Sequence, residues 1–163
     1  MRYIVGIAEM MVSTNKGDVI TTHALGSCLG IAIHDPVACV GGLLHVMMPL
    51  STIDPVKAAE NPCLFVDTGV PKLFLECYKA GAQKQRLEVK VAGGACIRYN
   101  GNGQEEDFFQ IGKRNFIMLR KLLWKNGLLL KSYDVGGSES RTMSLEIGSG
   151  EVIVKVKGNL KRL

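Results

Sequence analysis

The stretch LGIAIHDPVACVGGLLHVMM, residues 29–48, carries the pattern from which the fold of this chain can be predicted. It contains two apolar runs, at 29–34 and 41–48, which are separated by an Asp35-Pro36 turn, and Pro49 ends the second run. Apolar runs of this length between turn residues are typical of β-strands buried in a sheet. The two runs are therefore predicted to be strands, and their short connection allows them to pair as an antiparallel hairpin.

Further strands are predicted from the same kinds of pattern, at 3–12, 19–22, 87–91, 143–147 and 152–156. The first of these is an apolar run that predicts one buried strand. In the third, Val89 and its apolar neighbours alternate with Glu88 and Lys90, which is typical of a half-buried strand. The last two flank a Gly-Ser-Gly turn at 148–150 and predict a hairpin.

Two helices are predicted. In residues 67–80, apolar side chains recur at the spacing of one helix face, and Gly81 ends the segment. Residues 115–126 form the second, amphipathic helix, with Asn115 as its N-cap and Gly127 at its end. Together these patterns predict an α/β protein with many antiparallel strands and two main helices.

Composition and charge limit the classes of protein to which the chain can belong. Its 163 residues, 47% apolar and 21% charged, are typical of one soluble globular domain, which we expect to span 1–163. No apolar run is long enough to cross a membrane and no signal peptide is recognisable, so we expect a cytoplasmic protein without membrane insertion. The net charge of +5 comes without interleaved aromatic residues, which argues against nucleic-acid binding.

The five cysteines, at 28, 39, 63, 77 and 96, form no C-x-x-C pair. This odd, scattered set argues against a disulfide framework or a zinc ribbon and predicts free thiols in a reducing compartment. We expect four of them to be small core residues. The fifth, Cys28, differs because it lies in the glycine-rich segment LGSCLG at 25–30.

This segment is suited to a cysteine nucleophile. Gly26 and Gly30 allow a sharp backbone path and the close approach of a substrate. They also leave N–H groups of the turn free to stabilise an oxyanion, which makes Gly26 and Ser27 candidates for binding the substrate or the oxyanion. A glycine-rich turn without a catalytic role has the same local pattern, so the segment alone leaves both interpretations open.

His45 lies in an otherwise apolar run and is the candidate acid/base partner of Cys28. In an antiparallel hairpin whose loop has an even number of residues, positions whose numbers sum to an odd value share a face, as 28 and 45 do. A loop with an odd number of residues would place them on opposite faces. A core histidine bound to a backbone carbonyl is the alternative interpretation, and it stays open here.

Three other polar residues near Cys28 give weaker signals. Thr22, at the end of a predicted strand, has a hydroxyl able to orient a histidine or bind a substrate amide. His23 is adjacent to the nucleophile segment and is a candidate for lining the site, whereas His34 precedes a turn and is predicted to be solvated. The histidines and cysteines between 23 and 45 are five or six residues apart, which matches no zinc pattern, so no metal is predicted.

Several segments resemble the CheD family, the chemoreceptor glutamine deamidases of bacterial and archaeal chemotaxis. The likeness begins with THALGSCLGIA at 22–32 and GGLLHVMMP at 41–49. It continues in the same order along nearly the whole chain, at 65–71, 91–95, 111–115, 134–137 and 150–155. One Gly-Ser-Cys triplet would be a weak signal, whereas this ordered set is specific. The departures from the family pattern are His23, His34 and Cys96.

The resemblance implies a fold, a reaction and three catalytic residues. The fold is a layered α/β sandwich of antiparallel and mixed strands, similar to the catalytic domain of cytotoxic necrotizing factor toxins. The reaction is the hydrolysis of selected glutamine side chains of chemoreceptors to glutamates through a cysteine thioester, without a cofactor. The family's cysteine, histidine and threonine fall on Cys28, His45 and Thr22.

The resemblance also implies partners. These are the cytoplasmic domains of chemoreceptors and, in organisms that have it, CheC, a phosphatase of phosphorylated CheY. We expect the chain itself to be a monomer. Two alternatives are weighed against deamidation: a protein that acts mainly by binding CheC and receptors, and a cysteine peptidase. The intact set of Cys28, His45 and Thr22 argues against the first of these.

Overall fold

The computed structural model describes residues 1–96 and 110–163, whose strands form two mixed sheets. The outer sheet contains Arg2–Val5 (β1), Val19–Leu25 (β3), Arg141–Glu146 (β8), Val152–Val156 (β9) and Asn159–Arg162 (β10), side by side in the order β1-β3-β8-β9-β10. The middle sheet contains Met10–Ser13 (β2), Leu29–Asp35 (β4), Val40–Val46 (β5), Glu88–Gly93 (β6) and Leu130–Val135 (β7), in the order β2-β5-β4-β6-β7. The α-helices in the described residues are Pro55–Glu60 (α1), Val66–Lys79 (α2) and Ile111–Lys125 (α3).

The elements stack as outer sheet, middle sheet and helices. One apolar core, which includes Ile20, Leu43 and Met143, fills the space between the two sheets. A second core, which includes Leu73 of α2 and Leu119 of α3, lies between the middle sheet and the helices. Every residue of β4 and β5 is buried, because the middle sheet is covered on both faces. The prediction of an α/β fold with two main helices is confirmed.

The central hairpin has the register that places Cys28 and His45 on one face. β4 and β5 pair antiparallel, with Gly30 opposite His45 and Asp35 opposite Val40. The turn at 36–39 therefore has an even number of residues. Cys28, two residues before Gly30, lies diagonal to His45 on the same side of the hairpin.

Two strand predictions are wrong in part. Residues 3–12 form two strands, because β1 belongs to the outer sheet, β2 belongs to the middle sheet, and the chain crosses between them with Ala8 at a φ of 60°. β6 is not half-buried, since Lys90 is only 7% exposed and its Nζ donates to Gly150 O. An alternating pattern predicts one solvated face, but β6 lies in the layer that both the outer sheet and the helices cover.

The predictions for the remaining elements have mixed outcomes. α2 and the β8–β9 hairpin are confirmed. α3 begins at Ile111, so Asn115 is not its N-cap but a fully buried residue inside the helix. His34 is not solvated, because it faces the outer sheet, is 3% exposed, and lies with Nε2 2.8 Å from Ile147 O.

The prediction that four of the cysteines are core residues holds only in part. Of the four cysteines expected in the core, Cys63 and Cys77 are buried, whereas Cys39 and Cys96 are partly exposed. None of the five forms a disulfide bond within the described residues. Among the residues that the structure describes, no helix is long and apolar enough to cross a membrane.

Candidate active site

Thr22 and His45 meet in the buried layer between the two sheets. Thr22 on β3 is fully buried and His45 on β5 is 1% exposed. The hydroxyl oxygen of Thr22 lies 2.8 Å from Val5 O and 2.7 Å from His45 Nδ1. The carbonyl of Val5 can only accept, so it takes the single hydroxyl proton, and the Nδ1–H of His45 donates to Thr22 Oγ1. Thr22 therefore sets the tautomer of His45.

The other ring nitrogen of His45 is available for proton transfer. Within the described part of the chain, Nε2 is buried and has no hydrogen-bond partner. Burial disfavours the imidazolium and lowers the pKa of His45 from 6.5 to about 4. At neutral pH the ring is therefore uncharged, and the lone pair on Nε2 can accept a proton.

The main chain around His45 is held by neighbouring segments. Its N–H donates to Glu9 O over 3.0 Å, and its carbonyl accepts from Ala8 N–H over 2.9 Å. Two residues later, Met47 N–H donates to Leu64 O over 3.0 Å. These contacts hold the main chain that carries the imidazole, and the contact with Thr22 orients the ring itself.

Cys28 lies in the turn 26–28 between β3 and β4, which we call the cysteine turn. Each carbonyl of this turn is bound by a donor from another segment: Gly26 O by Ala95 N–H (2.8 Å), Ser27 O by Asn115 Nδ2 (3.0 Å) and Cys28 O by Gly94 N–H (2.8 Å). By contrast, the N–H groups of Ser27 and Cys28 donate to no carbonyl among the described residues. The turn is thus fixed through its acceptors, while two of its donors are bound by no main-chain carbonyl of the described residues.

Glycines at the end of β6 and the start of α3 allow this close packing. Gly93 and Gly94 have φ values of 116° and 61°, in the left-handed region that favours glycine. A Cβ on Gly93 would lie 2.2 Å from Cys28 O, and a Cβ on Gly112 of α3 would lie 2.6 Å from Gly94 O. Side chains at these positions would push the cysteine turn away from β6 and α3.

The segment after β7 supports these glycines from the other side. Gly136 N–H donates to Gly93 O over 3.0 Å. Asp134 is paired with Arg141 over 2.9 Å. Burial would raise the pKa of Asp134, but hydrogen bonds and charge from Arg141 and Lys161 outweigh it and lower that pKa. The 134–137 segment is therefore held by an ion pair and by its hydrogen bond to Gly93.

The thiol of Cys28 is partly buried and packs against the core between the sheets. Burial raises its pKa, and the opposing effect of its own backbone N–H only partly offsets this rise. At neutral pH Cys28 is consequently a thiol and His45 a neutral imidazole. Both pKa shifts thus favour a neutral acid and a neutral base over a thiolate–imidazolium pair.

Comparison with known proteins identifies the family. The chain matches the family model CheD, chemotactic sensory transduction, over residues 47–156. It is 50% identical over 155 residues to "Probable chemoreceptor glutamine deamidase CheD 1" of Syntrophus aciditrophicus, a match that covers 95% of this chain and 94% of the relative. The chain belongs to the CheD family. A CheD of Solibacter usitatus, "Probable chemoreceptor glutamine deamidase CheD", is 48% identical over 160 residues, covering 98% of this chain and 92% of the relative.

The predicted site residues lie on both sides of the outer sheet. Thr22 and His45 are joined between the sheets, and Cys28 lies on the same side, in the turn that also contains Gly26 and Ser27. His23 is exposed on the opposite face, where its Nδ1 lies 3.3 Å from Thr142 Oγ1. There it lines an open groove of about 630 Å³ rather than the buried layer.

Asn115 lies beside the candidate site, where the sequence did not predict it. Its Nδ2 lies 3.0 Å from Ser27 O and 3.0 Å from Met47 O, so it contacts both the cysteine turn and the segment after His45. Asparagine is a preferred N-cap residue, so its sequence neighbours alone predict a cap at this position. The spacing of the buried α3 residues, Gly112, Asn115, Leu119 and Leu123, is the signal that places Asn115 on the buried face.

Proposed function

We propose that this CheD chain hydrolyses glutamine side chains of chemoreceptors to glutamates, with Cys28 as nucleophile and His45 as acid and base. Thr22 is the residue that orients His45. The observation that carries the proposal is the buried His45 ring, whose Nδ1–H is bound by Thr22 and whose Nε2 has no partner in the described residues. The names of the relatives, which are chemoreceptor glutamine deamidases, support the substrate.

The proposed reaction starts from the neutral pair. As Sγ of Cys28 attacks the amide carbon, its proton passes to Nε2 of His45, and the carbonyl becomes an oxyanion. The N–H groups of Ser27 and Cys28, which donate to no carbonyl of the described residues, are the proposed donors to this oxyanion, with Gly26 giving the turn its shape. Proton transfer during the attack avoids the cost of keeping a thiolate and an imidazolium in a buried site.

Collapse of the intermediate releases ammonia. The Nε2–H of His45 protonates the amide nitrogen, the C–N bond breaks, and a thioester remains on Cys28. Water then gives a proton to Nε2 and attacks the thioester, and Cys28 leaves as the thiol by recovering that proton. One water and one glutamine become one glutamate and one ammonia, without a cofactor. Thr22 keeps Nδ1 protonated throughout, so Nε2 is always the nitrogen that exchanges protons.

Further aspects of the function are part of the same proposal. The substrate is the cytoplasmic part of a chemoreceptor, so the protein acts in the cytoplasm. It acts as a monomer and forms a single domain over 1–163. CheC is proposed as a second partner. The stacking of two sheets and a helical layer is compatible with a fold similar to the catalytic domain of cytotoxic necrotizing factor toxins.

The test is to incubate the protein with the cytoplasmic fragment of a chemoreceptor and to map modified residues by mass spectrometry. Wild-type protein is expected to convert specific glutamines to glutamates and to release ammonia. Cys28→Ala is expected to lower the rate by more than about 1000-fold, because the nucleophile is lost. Cys39→Ala, at another partly exposed cysteine, is the matched control and should keep the wild-type rate.

Two results would contradict the proposal. Conversion of receptor glutamines by Cys28→Ala at the wild-type rate would exclude Cys28 as nucleophile. Receptor fragments cut between residues, instead of intact chains with glutamate in place of glutamine, would indicate a peptidase.

A further inference from the structure

Asn115 joins the two segments that carry the proposed catalytic residues. It lies on α3 and is fully buried. Its amide nitrogen is 3.0 Å from Ser27 O, which directly precedes Cys28, and 3.0 Å from Met47 O, which lies two residues after His45. One side chain from the helical layer thus connects the cysteine turn to the end of β5.

The chemistry of the two contacts defines the orientation of the amide. Both partners are backbone carbonyls, which only accept, so the NH₂ group must face them and each of its protons is used. The oxygen of the Asn115 amide is left without a partner in the described residues. The unpaired oxygen costs free energy, whereas the two donors satisfy the carbonyls of Ser27 and Met47, which an apolar residue at this position would leave without this partner.

The local sequence brings the amide within reach. Gly112 lies one turn before Asn115 on the same helix face, and the absence of a side chain there lets α3 pack onto the backbone of Gly94. Leu119, one turn after Asn115, continues the buried face into the apolar core. Asn115 is therefore a polar residue on the buried face of α3, and it lies where this face contacts the cysteine turn.

We propose that Asn115 is a positioning residue for the deamidation reaction: its amide holds the cysteine turn and the end of β5 in one fixed relation and so sets the approach of Cys28 to His45. This inference rests on the proposed function of Cys28 and His45. Without the two donors, the carbonyls of Ser27 and Met47 lose this partner, and the turn is held to other segments only through Gly26 O and Cys28 O, so it can shift relative to His45. A misplacement of about 1 Å between reacting groups can lower a rate by about 100-fold.

Two variants and one control test this role. Asn115→Asp keeps the shape but removes both donors, and Asn115→Ala removes the whole amide. Leu119→Ala is the matched control, because it creates a cavity on the same buried face of α3, one turn further along the helix. We expect both Asn115 variants to lower kcat by about 10- to 100-fold and to change KM by less than about threefold. Leu119→Ala should lower Tm at least as much as the Asn115 variants do, and the folded protein should keep the wild-type kcat.

A second readout does not depend on a receptor substrate. The rate at which iodoacetamide alkylates Cys28, followed site-specifically by mass spectrometry across pH, reports proton transfer from the thiol to His45. Both Asn115 variants should lower this rate near neutral pH and give the pH profile of His45→Ala. If wild-type protein does not modify receptors, the proposed function fails, while the alkylation profile still decides the role of Asn115.

Two outcomes would overturn the inference. The first is a wild-type alkylation profile in folded Asn115→Ala or Asn115→Asp. The second is an equal loss of kcat and alkylation in Leu119→Ala, which would show that any destabilisation of α3 has the same effect.

Discussion

The two ends of the β4–β5 hairpin each contain a buried histidine opposite a glycine, His45 opposite Gly30 and His34 opposite Gly41. Both rings face the outer sheet. In both, one ring nitrogen is bound and the other is buried without a partner in the described residues. By residue type, burial and hydrogen-bond count, the two sites are nearly equivalent.

The difference lies in which nitrogen is bound and in what surrounds the other. His34 donates from Nε2 to the carbonyl of Ile147, and its Nδ1 faces Gly150, where a Cβ would lie only 2.3 Å away. His45 donates from Nδ1 to the side chain of Thr22, and it lies opposite Gly30, at the end of the hairpin that adjoins the cysteine turn. A buried histidine with a free nitrogen is thus not a site in itself, because it needs a nucleophile beside that nitrogen.

The largest expected effect separates the two histidines. His45→Ala should lower kcat/KM for receptor deamidation by about 100- to 10,000-fold, because the acid/base group is lost. His34→Ala should leave kcat/KM near the wild-type value and destabilise the fold by about 1–3 kcal/mol, because Ile147 O loses its donor. Steady-state kinetics and urea unfolding of both variants measure these effects. An equal loss of kcat/KM in His34→Ala would mean that the two ends are not functionally distinct.

The partner of His45 is a side chain, whereas that of His34 is main chain, so only the His45 contact can be removed by substituting its acceptor. Thr22→Val keeps the volume but removes the hydroxyl that accepts from His45 Nδ1–H and donates to Val5 O. We expect kcat to fall by about 10- to 100-fold, since the ring loses its fixed tautomer and orientation. Thr21→Val, which removes a contact with Ser144 instead, is the control. Comparable kinetics for both variants would contradict the role of Thr22.

The smallest expected effect is on stability at acid pH. The pKa of His45 is lowered from 6.5 to about 4 by burial, so between these pH values the unfolded chain binds more protons than the native protein. This group therefore destabilises the fold progressively as pH falls from 6.5 towards 4. Urea unfolding at pH 7 and pH 5 should show a smaller loss of stability in His45→Gln than in wild type. An identical loss would mean that His45 is protonated in the native state at pH 5.

Much of the site was predictable because its signals are local. The glycine-rich segment around Cys28 and the apolar run around His45 are visible in the sequence. The parity of the loop left two alternatives, in which Cys28 and His45 lie on the same face or on opposite faces of the hairpin. The even turn at 36–39 selects the one that places them on a single face. Thr22 has no local signal of its own and was singled out only by the resemblance to the CheD family.

The errors share one physical cause. Asn115 was predicted to cap a helix and His34 to be solvated, since both predictions use only neighbours in the chain. In the structure, α3 begins earlier because Gly112 packs on Gly94, which places Asn115 inside the helix. His34 is covered because the outer sheet lies over the hairpin. Neither contact involves residues that are close in sequence.

The sequence by itself determined where most strands, turns and helices lie, which cysteine is the candidate nucleophile, and which family the chain resembles, because periodicity, glycine placement and ordered motifs are local properties. Only the tertiary structure decided which side chains share a layer. A strand buried on both faces has no alternating pattern, so the stacking of the outer sheet and the helices on the middle sheet determined that His45 meets Thr22. The same stacking determined that His34 meets a carbonyl and that Asn115 reaches the cysteine turn.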